Sequence, residues 1–172
     1  MTTIVQAAMD YEIDDARRLL RGFAAWRCER HSDDIAPDEG RSVDRDLESK
    51  LAELPRQYVP PHGRLLIAYE ADQPAGCAAL RDQGDGVCEA EAIFVTGRFR
   101  GQRVGRALIE RLLLEAKGAG YRRMCLGTSI HENEAMRLCE HAGFHQISLD
   151  HEGAARIRGP RVLFERDLRL AS

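Results

Sequence analysis

The chain of 172 residues has no Cys-x-x-Cys pair, and its cysteines, Cys28, Cys77, Cys88, Cys125 and Cys139, form an odd set. That speaks against both a disulfide framework and a zinc knuckle, and leaves reduced thiols as the expectation. His141 and His145 lie four apart beside Cys139, but Gly143 interrupts any helix that would align them, so no metal is expected. No apolar run reaches the length that crosses a membrane. The opening MTTIVQAAMDYEIDD carries acid where a secretory signal carries base and then an apolar block, so the cytoplasm is the simplest address. An excess of one sign of charge is lacking too: the formal net charge is -3, which gives no hint of nucleic acid as a partner. No Gly-Lys-Ser/Thr is present, and no early Gly-x-Gly-x-x-Gly, which removes the two commonest nucleotide-phosphate loops. Internal repeats and low-complexity tracts are absent as well.

What is there is a soluble composition, 44% hydrophobic and 31% charged, at a length that suits one domain spanning residues 1–172. TTIVQAA reads as a strand, and Ile13 to Trp26 repeats apolar residues at helical spacing. Cys28 to Gly40 is polar and irregular. Val43 to Leu54 returns to helical spacing and Pro55 ends it, and this middle region is expected to pack near a substrate. RLLIAYE and AGCAALR read as strands around the turn ADQP, and VCEAEAIFV, Val87 to Val95, follows the loop DQGDG as a third. Val104 to Ala116 sets Val104, Ala107, Leu108, Leu112 and Glu115 along one stripe with Ile109 and Leu113 beside it, an amphipathic helix ended by Gly118 and Gly120. YRRMCLGTS is a strand, Asn133 to His141 a short helix capped by Gly143, and FHQIS and RVLFERDL two further strands. The fold class is α/β (α+β), a mixed sheet with helices packed on it.

The densest stretch lies between the third strand and the long helix. From Arg98 to Gly105 it holds Arg98, Arg100 and Arg103 with Gly101 and Gly105. A strand entering a Gly-containing loop that opens a helix leaves backbone N–H groups pointing forward, and these suit an anion such as a pyrophosphate. A solvated basic turn is the alternative. Just upstream, Glu89 and Glu91 alternate with Ala90 and Ala92, so a regular strand places both carboxylates on one face.

Over Gly76 to Phe144 the chain resembles the GNAT superfamily of N-acetyltransferases. Arg100-Gly101-Gln102-Arg103-Val104-Gly105-Arg106, five residues after Val95, is similar to the family's Arg/Gln-x-x-Gly-x-Gly/Ala pyrophosphate loop, and Gln102-x-x-Gly105-x-Ala107 fits the same pattern in a second register. Asn133 to Phe144 is similar to Asn-x-x-Ala-x-x-Leu-Tyr-x-x-x-Gly-Phe. The resemblance implies a mostly antiparallel seven-stranded sheet with helices on both faces. It implies acetyl-CoA as donor co-substrate, held by Arg100 to Arg106 and Asn133, and transfer to a primary amine of a small molecule or peptide by direct attack. It assigns Glu89 as general base, with Glu91 in reserve, and a backbone N–H near Phe94 or Val95 as the group that polarises the acetyl carbonyl.

Two departures stand out. Arg103 occupies the family's first loop glycine, which costs strain if that position needs a positive φ. Cys139 occupies the place of the tyrosine that protonates the leaving thiolate in many members; a thiol can donate, though packing is the favoured role here. A non-catalytic acyl-CoA-binding domain is the rival these departures allow, and a longer acyl donor a third possibility. An edge strand near the C-terminus would permit a homodimer.

Overall fold

The computed structural model describes residues 1–30, 47–129, 132–148 and 161–169. Seven strands form one sheet in the order β1-β2-β3-β4-β5-β7-β6: β1 (Thr3–Gln6), β2 (Arg64–Glu70), β3 (Gln73–Gly84), β4 (Val87–Val95), β5 (Arg123–Ser129), β6 (His145–Ile147) and β7 (Arg161–Asp167). Every neighbouring pair is antiparallel except β4 and β5. The helices are α1 (Asp10–Arg30), α2 (described over residues 47–52), α3 (Val104–Gly118) and α4 (Asn133–His141). The expected mostly antiparallel seven-stranded sheet is therefore present. The N-terminal part of the expected Val43 to Leu54 helix, and most of the polar stretch from Cys28 to Gly40, lie outside the described residues. No described helix is long and apolar enough to cross a membrane.

Two tight turns set the register of the first half. Ala71 and Asp72 (φ 46° and 62°) connect Glu70 to Gln73, and Asp85 and Gly86 (φ 54° and 75°) connect Gly84 to Val87. Two consecutive residues at positive φ suit the right-handed twist of a hairpin, so both turns close with two residues. The segment DQG read as loop is consequently the end of β3, paired back onto β4.

Alternation then sorts side chains between two apolar layers. Leu66, Ala78, Leu80, Cys88, Ala90, Met124, Leu126 and Phe164 face α3, whose buried residues are Val104, Leu108, Ile109, Leu112, Leu113 and Ala116. The helix thus buries the expected Val104, Leu108 and Leu112 with Ile109 and Leu113 beside them, and Ala116 besides. Glu115 stands at its margin and accepts hydrogen bonds from Arg64 Nε at 2.7 Å and Arg111 Nε at 2.8 Å. The opposite layer packs Leu65, Ile67, Cys77, Ala79 and Phe94 against Ile13, Ala16 and Leu19 of α1. Helices cover both faces. The edge strand at the C-terminal side is β6, only three residues long.

Candidate functional site

The parallel ladder between β4 and β5 runs only from Val87↔Arg123 to Ala90↔Leu126. Beyond it β4 continues to Val95 and β5 to Ser129 without pairing, so the sheet opens between them. The cause is a bulge in β4. Cys77 pairs with Phe94 and Ala79 with Glu91, so two residues, Ala92 and Ile93, oppose the single Ala78, and Ala92 takes φ 52°. An extra residue bends the strand and shifts its alternation. Glu91 and Phe94, three apart, therefore both face the α1 side, where Phe94 packs on Phe23 and Trp26 with centroids 5.5 and 6.2 Å away.

At the end of β4 the chain enters a turn of 3-10 helix, Gly97–Phe99, and then α3. Gly101 (φ 76°) and Arg103 (φ 65°) are both left-handed. The position that the family gives to glycine does require a positive φ, and Arg103 bears that strain, about 1 kcal/mol for a side chain with a Cβ. The N–H groups of Gly101 to Arg106 have no backbone acceptor among the described residues, since the first bond into the helix is Ala107 N–H to the Arg103 carbonyl. Gly105 sits against Val95 and Leu138, where an added Cβ would lie 3.6 and 3.4 Å from their side chains.

The arginines of the loop divide in a way the sequence does not announce. Arg98 donates to Gln73 Oε1 at 2.6 Å, and Arg106 pairs with Glu110 at 2.8 Å. Arg100 folds toward α1: its Nε donates to the Val95 carbonyl at 3.0 Å and its guanidinium lies 5.0 Å from the Trp26 ring and 5.8 Å from Phe94. Arg103 is exposed and has no ion pair or hydrogen bond to its side chain among the described residues. Gln102 donates to the Arg98 carbonyl at 3.1 Å and so braces the loop. Beside the loop, a groove of about 470 Å³ lies between α1 and the end of β4, lined by Gly22, Trp26, Phe94, Thr96, Gly97 and Arg100 among others.

Both candidate acids lie on the α1 side of the sheet, as alternation predicts. Arg81, opposite Glu89 in register, uses one nitrogen for both: Nη2 is 3.2 Å from Glu89 Oε2 and 2.9 Å from Glu91 Oε1. Gln83 also donates to Glu89 at 2.6 Å, while the Tyr58 hydroxyl donates to Glu91 Oε2 at 2.7 Å. Glu89 lies where β4 is still paired with β5, opposite Cys125; Glu91 is the first residue past that ladder. Arg81 and Tyr58 were not singled out by sequence. Arg81 has the same parity as Cys77 and Ala79, a usable signal, whereas Tyr58 sits in a proline-flanked turn with no periodicity to read.

Cys139 is buried, 4% exposed, and packs in the α3 layer; burial pushes its thiol up to about 12. Asn133 is exposed and is the first residue of α4, with Glu132 before it as the N-cap. Helix α4 ends at Gly143 (φ 83°), with Phe144 N–H on the Cys139 carbonyl. Taken together, the free N–H groups of the loop, the unpaired charge of Arg103 and the opening between β4 and β5 fit the diphosphate and extended arm of an acyl-CoA.

Comparison with known proteins agrees with this geometry. A profile of the acetyltransferase (GNAT) family matches residues 23–144. An IAA acetyltransferase of Azospirillum brasilense is 33% identical over 117 residues, 67% of this chain and 71% of that one. An N-acetyltransferase of Schizosaccharomyces pombe is 32% identical over 102 residues, 58% of this chain, which spans 63% of that relative's length. The PaiA N-acetyltransferase of Thermoplasma acidophilum, solved with coenzyme A, shares the fold at a TM-score of 0.74 and 14% identity, over 97% of this chain and 99% of that one. With its split sheet, its left-handed loop into α3 and this matched span, the chain belongs to the acetyltransferase (GNAT) family.

Proposed function

We propose that the protein is an N-acetyltransferase that moves an acetyl group from acetyl-CoA to a primary amine of a small molecule or peptide by direct attack in a ternary complex. One observation carries the reading: the opening between β4 and β5 has an anion-ready loop at one end and the Glu91 carboxylate on its α1 side, just past the ladder. The backbone N–H groups of Gly101 to Arg106, with Val104 and Gly105 at the head of α3, would hold the diphosphate, and Asn133 the arm. When bound, acetyl-CoA supplies a thioester carbonyl open to attack by a neutral amine. The backbone past the bulge, near Phe94 and Val95, offers N–H groups at the side of the opening for that carbonyl oxygen.

Glu91 is the better placed base. It stands past the end of the ladder, beside the bulge, whereas Glu89 is held by Arg81 and Gln83 where the sheet is still closed. Glu91 takes a proton from the ammonium form of the acceptor, directly or through a water, on lone pairs that Tyr58 and Arg81 do not use. Cys139, buried and holding its proton, serves packing, and solvent reprotonates the departing thiol. The test is thiol release from acetyl-CoA across a panel of butylamine, tyramine, spermidine and a peptide with a free N-terminus. Tight coenzyme binding with no turnover on any amine would support a non-catalytic acyl-CoA-binding domain instead.

Arg103 separates two effects in this reading. Arg103→Gly relieves the left-handed strain and is expected to stabilise the fold by about 0.5–1 kcal/mol, read as a rise in Tm. The same change removes a charge at the diphosphate and is expected to weaken acetyl-CoA binding about fivefold to tenfold at low salt, read by isothermal titration. If affinity improves instead, the side chain obstructs the loop and contributes nothing to the diphosphate.

The arginine stack gives a further expectation. Arg100→Ala loses the Val95 carbonyl bond and both ring contacts, so the end of β4 loosens from α1, at a cost of about 1 kcal/mol in stability. Trp26, the single tryptophan of the chain, reports it: its emission is expected to shift to longer wavelength in the variant.

A further inference from the structure

The turn that precedes β2 reaches across the sheet and ends on one of the two acids. We propose that Tyr58 is a positioning residue of the acceptor site: its hydroxyl holds the Glu91 carboxylate against Arg81 and leaves that carboxylate's remaining lone pairs to an ammonium or a water. The inference rests on the assignment of Glu91 as base and deepens it.

Four observations on the turn support it. The hydroxyl donates to Glu91 Oε2 at 2.7 Å while Arg81 Nη2 lies 2.9 Å from Oε1, so each carboxylate oxygen is held from a different element. Glu89 lacks such a hold, because both its donors among the described residues, Arg81 and Gln83, reach Oε2 and come from the neighbouring strand. The Tyr58 backbone is itself fixed, its N–H on the Pro55 carbonyl at 2.7 Å and its carbonyl accepting from Gln6 Nε2 at 3.2 Å. The fold-back depends on Gly63. A Cβ there would stand 2.2 Å from the Gln57 carbonyl oxygen and 2.7 Å from Tyr58 Cα, both backbone atoms, so no larger residue fits without moving the turn.

The chemistry of the pair suits a hold that does not itself exchange protons. Burial, and after it the Glu91 charge, raises the phenol well above the ordinary tyrosine range, so Tyr58 stays a donor wherever a carboxylate is ionised. A donor to the ionised carboxylate holds one oxygen in place and leaves its remaining lone pairs free. A tyrosine that served packing alone would leave the carboxyl's surroundings as they were on loss of its hydroxyl.

The experiment reads the Glu91 side-chain carboxyl by ¹³C NMR at neutral pH, its signal assigned by its loss in Glu91→Gln, in the native chain, Tyr58→Phe and Gly63→Ala. Tyr58→Phe keeps the ring and removes only the hydroxyl; Gly63→Ala keeps the hydroxyl and displaces it. Both are expected to shift that signal and, with any panel amine that is turned over, to lower kcat/KM about tenfold, the worth of one hydrogen bond to a charged group, while acetyl-CoA binding by titration stays unchanged. An unshifted signal in Tyr58→Phe overturns the inference, whatever the turnover. A shifted signal together with normal turnover by Glu91→Gln leaves the hold in place and removes Glu91 from the base role, so the two readings fail separately.

Discussion

Replacing Glu91 by glutamine is expected to lower kcat/KM at least a hundredfold while leaving acetyl-CoA affinity within about twofold. The amide keeps the size of the side chain, its oxygen can face Arg81 and its NH2 group can donate to the Tyr58 hydroxyl oxygen, so the fold and the opening between β4 and β5 should survive. What it loses is the capacity to take a proton from an ammonium, a role worth on the order of 10²–10⁴-fold. Glu89→Gln is expected to cost less than tenfold, because Glu89 lies within the paired part of β4 and shares its oxygen with Gln83 and Arg81. Initial rates of thiol release for both variants, at saturating acetyl-CoA and varied amine, give the comparison. A severe Glu89 defect with a mild Glu91 one would return the base role to Glu89 and require the acceptor to approach along the closed ladder.

The contrast between these two acids marks where sequence stops being legible. Their alternation with Ala90 and Ala92 places both on one face, and the structure bears this out, since a single nitrogen of Arg81 reaches each. Counting back from the Arg100 loop favours Glu89; the end of the ladder favours Glu91, and that end depends on the bulge at Ala92. Nothing in an alanine signals a left-handed conformation, because the strain is imposed by the surrounding sheet and not sought by the residue. Strand and helix existence read well for the same reason that ends did not: apolar periodicity reports the buried layer, while a tight pair such as Asp85-Gly86 decides where a strand turns. The basic loop was legible as charge, but of four arginines that look alike in sequence three have different partners and Arg103 has none among the described residues, a matter of which rings and acids the fold brings near. Tyr58 escaped notice because its partner is 33 residues away and its own turn has no period to betray it.

Away from the opening, Glu115→Gln is expected to cost about 2 kcal/mol at neutral pH, or roughly 4–8 °C in Tm for a chain of this size. Glu115 joins β2 to α3: Arg64 and Arg111 each donate to one of its oxygens, and Arg64, only 12% exposed, would be left with an unpaired charge beside the apolar layer. Arg111, 41% exposed, adds little, because water can replace its partner. The hydrogen bond from Arg64 and then that from Arg111 hold the carboxyl below its ordinary value of 4.5 in the folded chain. A depressed folded value means that the contribution is complete above the unfolded value and is lost as pH falls through the folded one. The difference in Tm between the native chain and Glu115→Gln should therefore be level from about pH 8 down to about pH 5 and then shrink steadily in more acid solution. A difference that stays constant to the acid limit would mean that the side chain acts through its packing alone, and that the two arginines find equal partners in water.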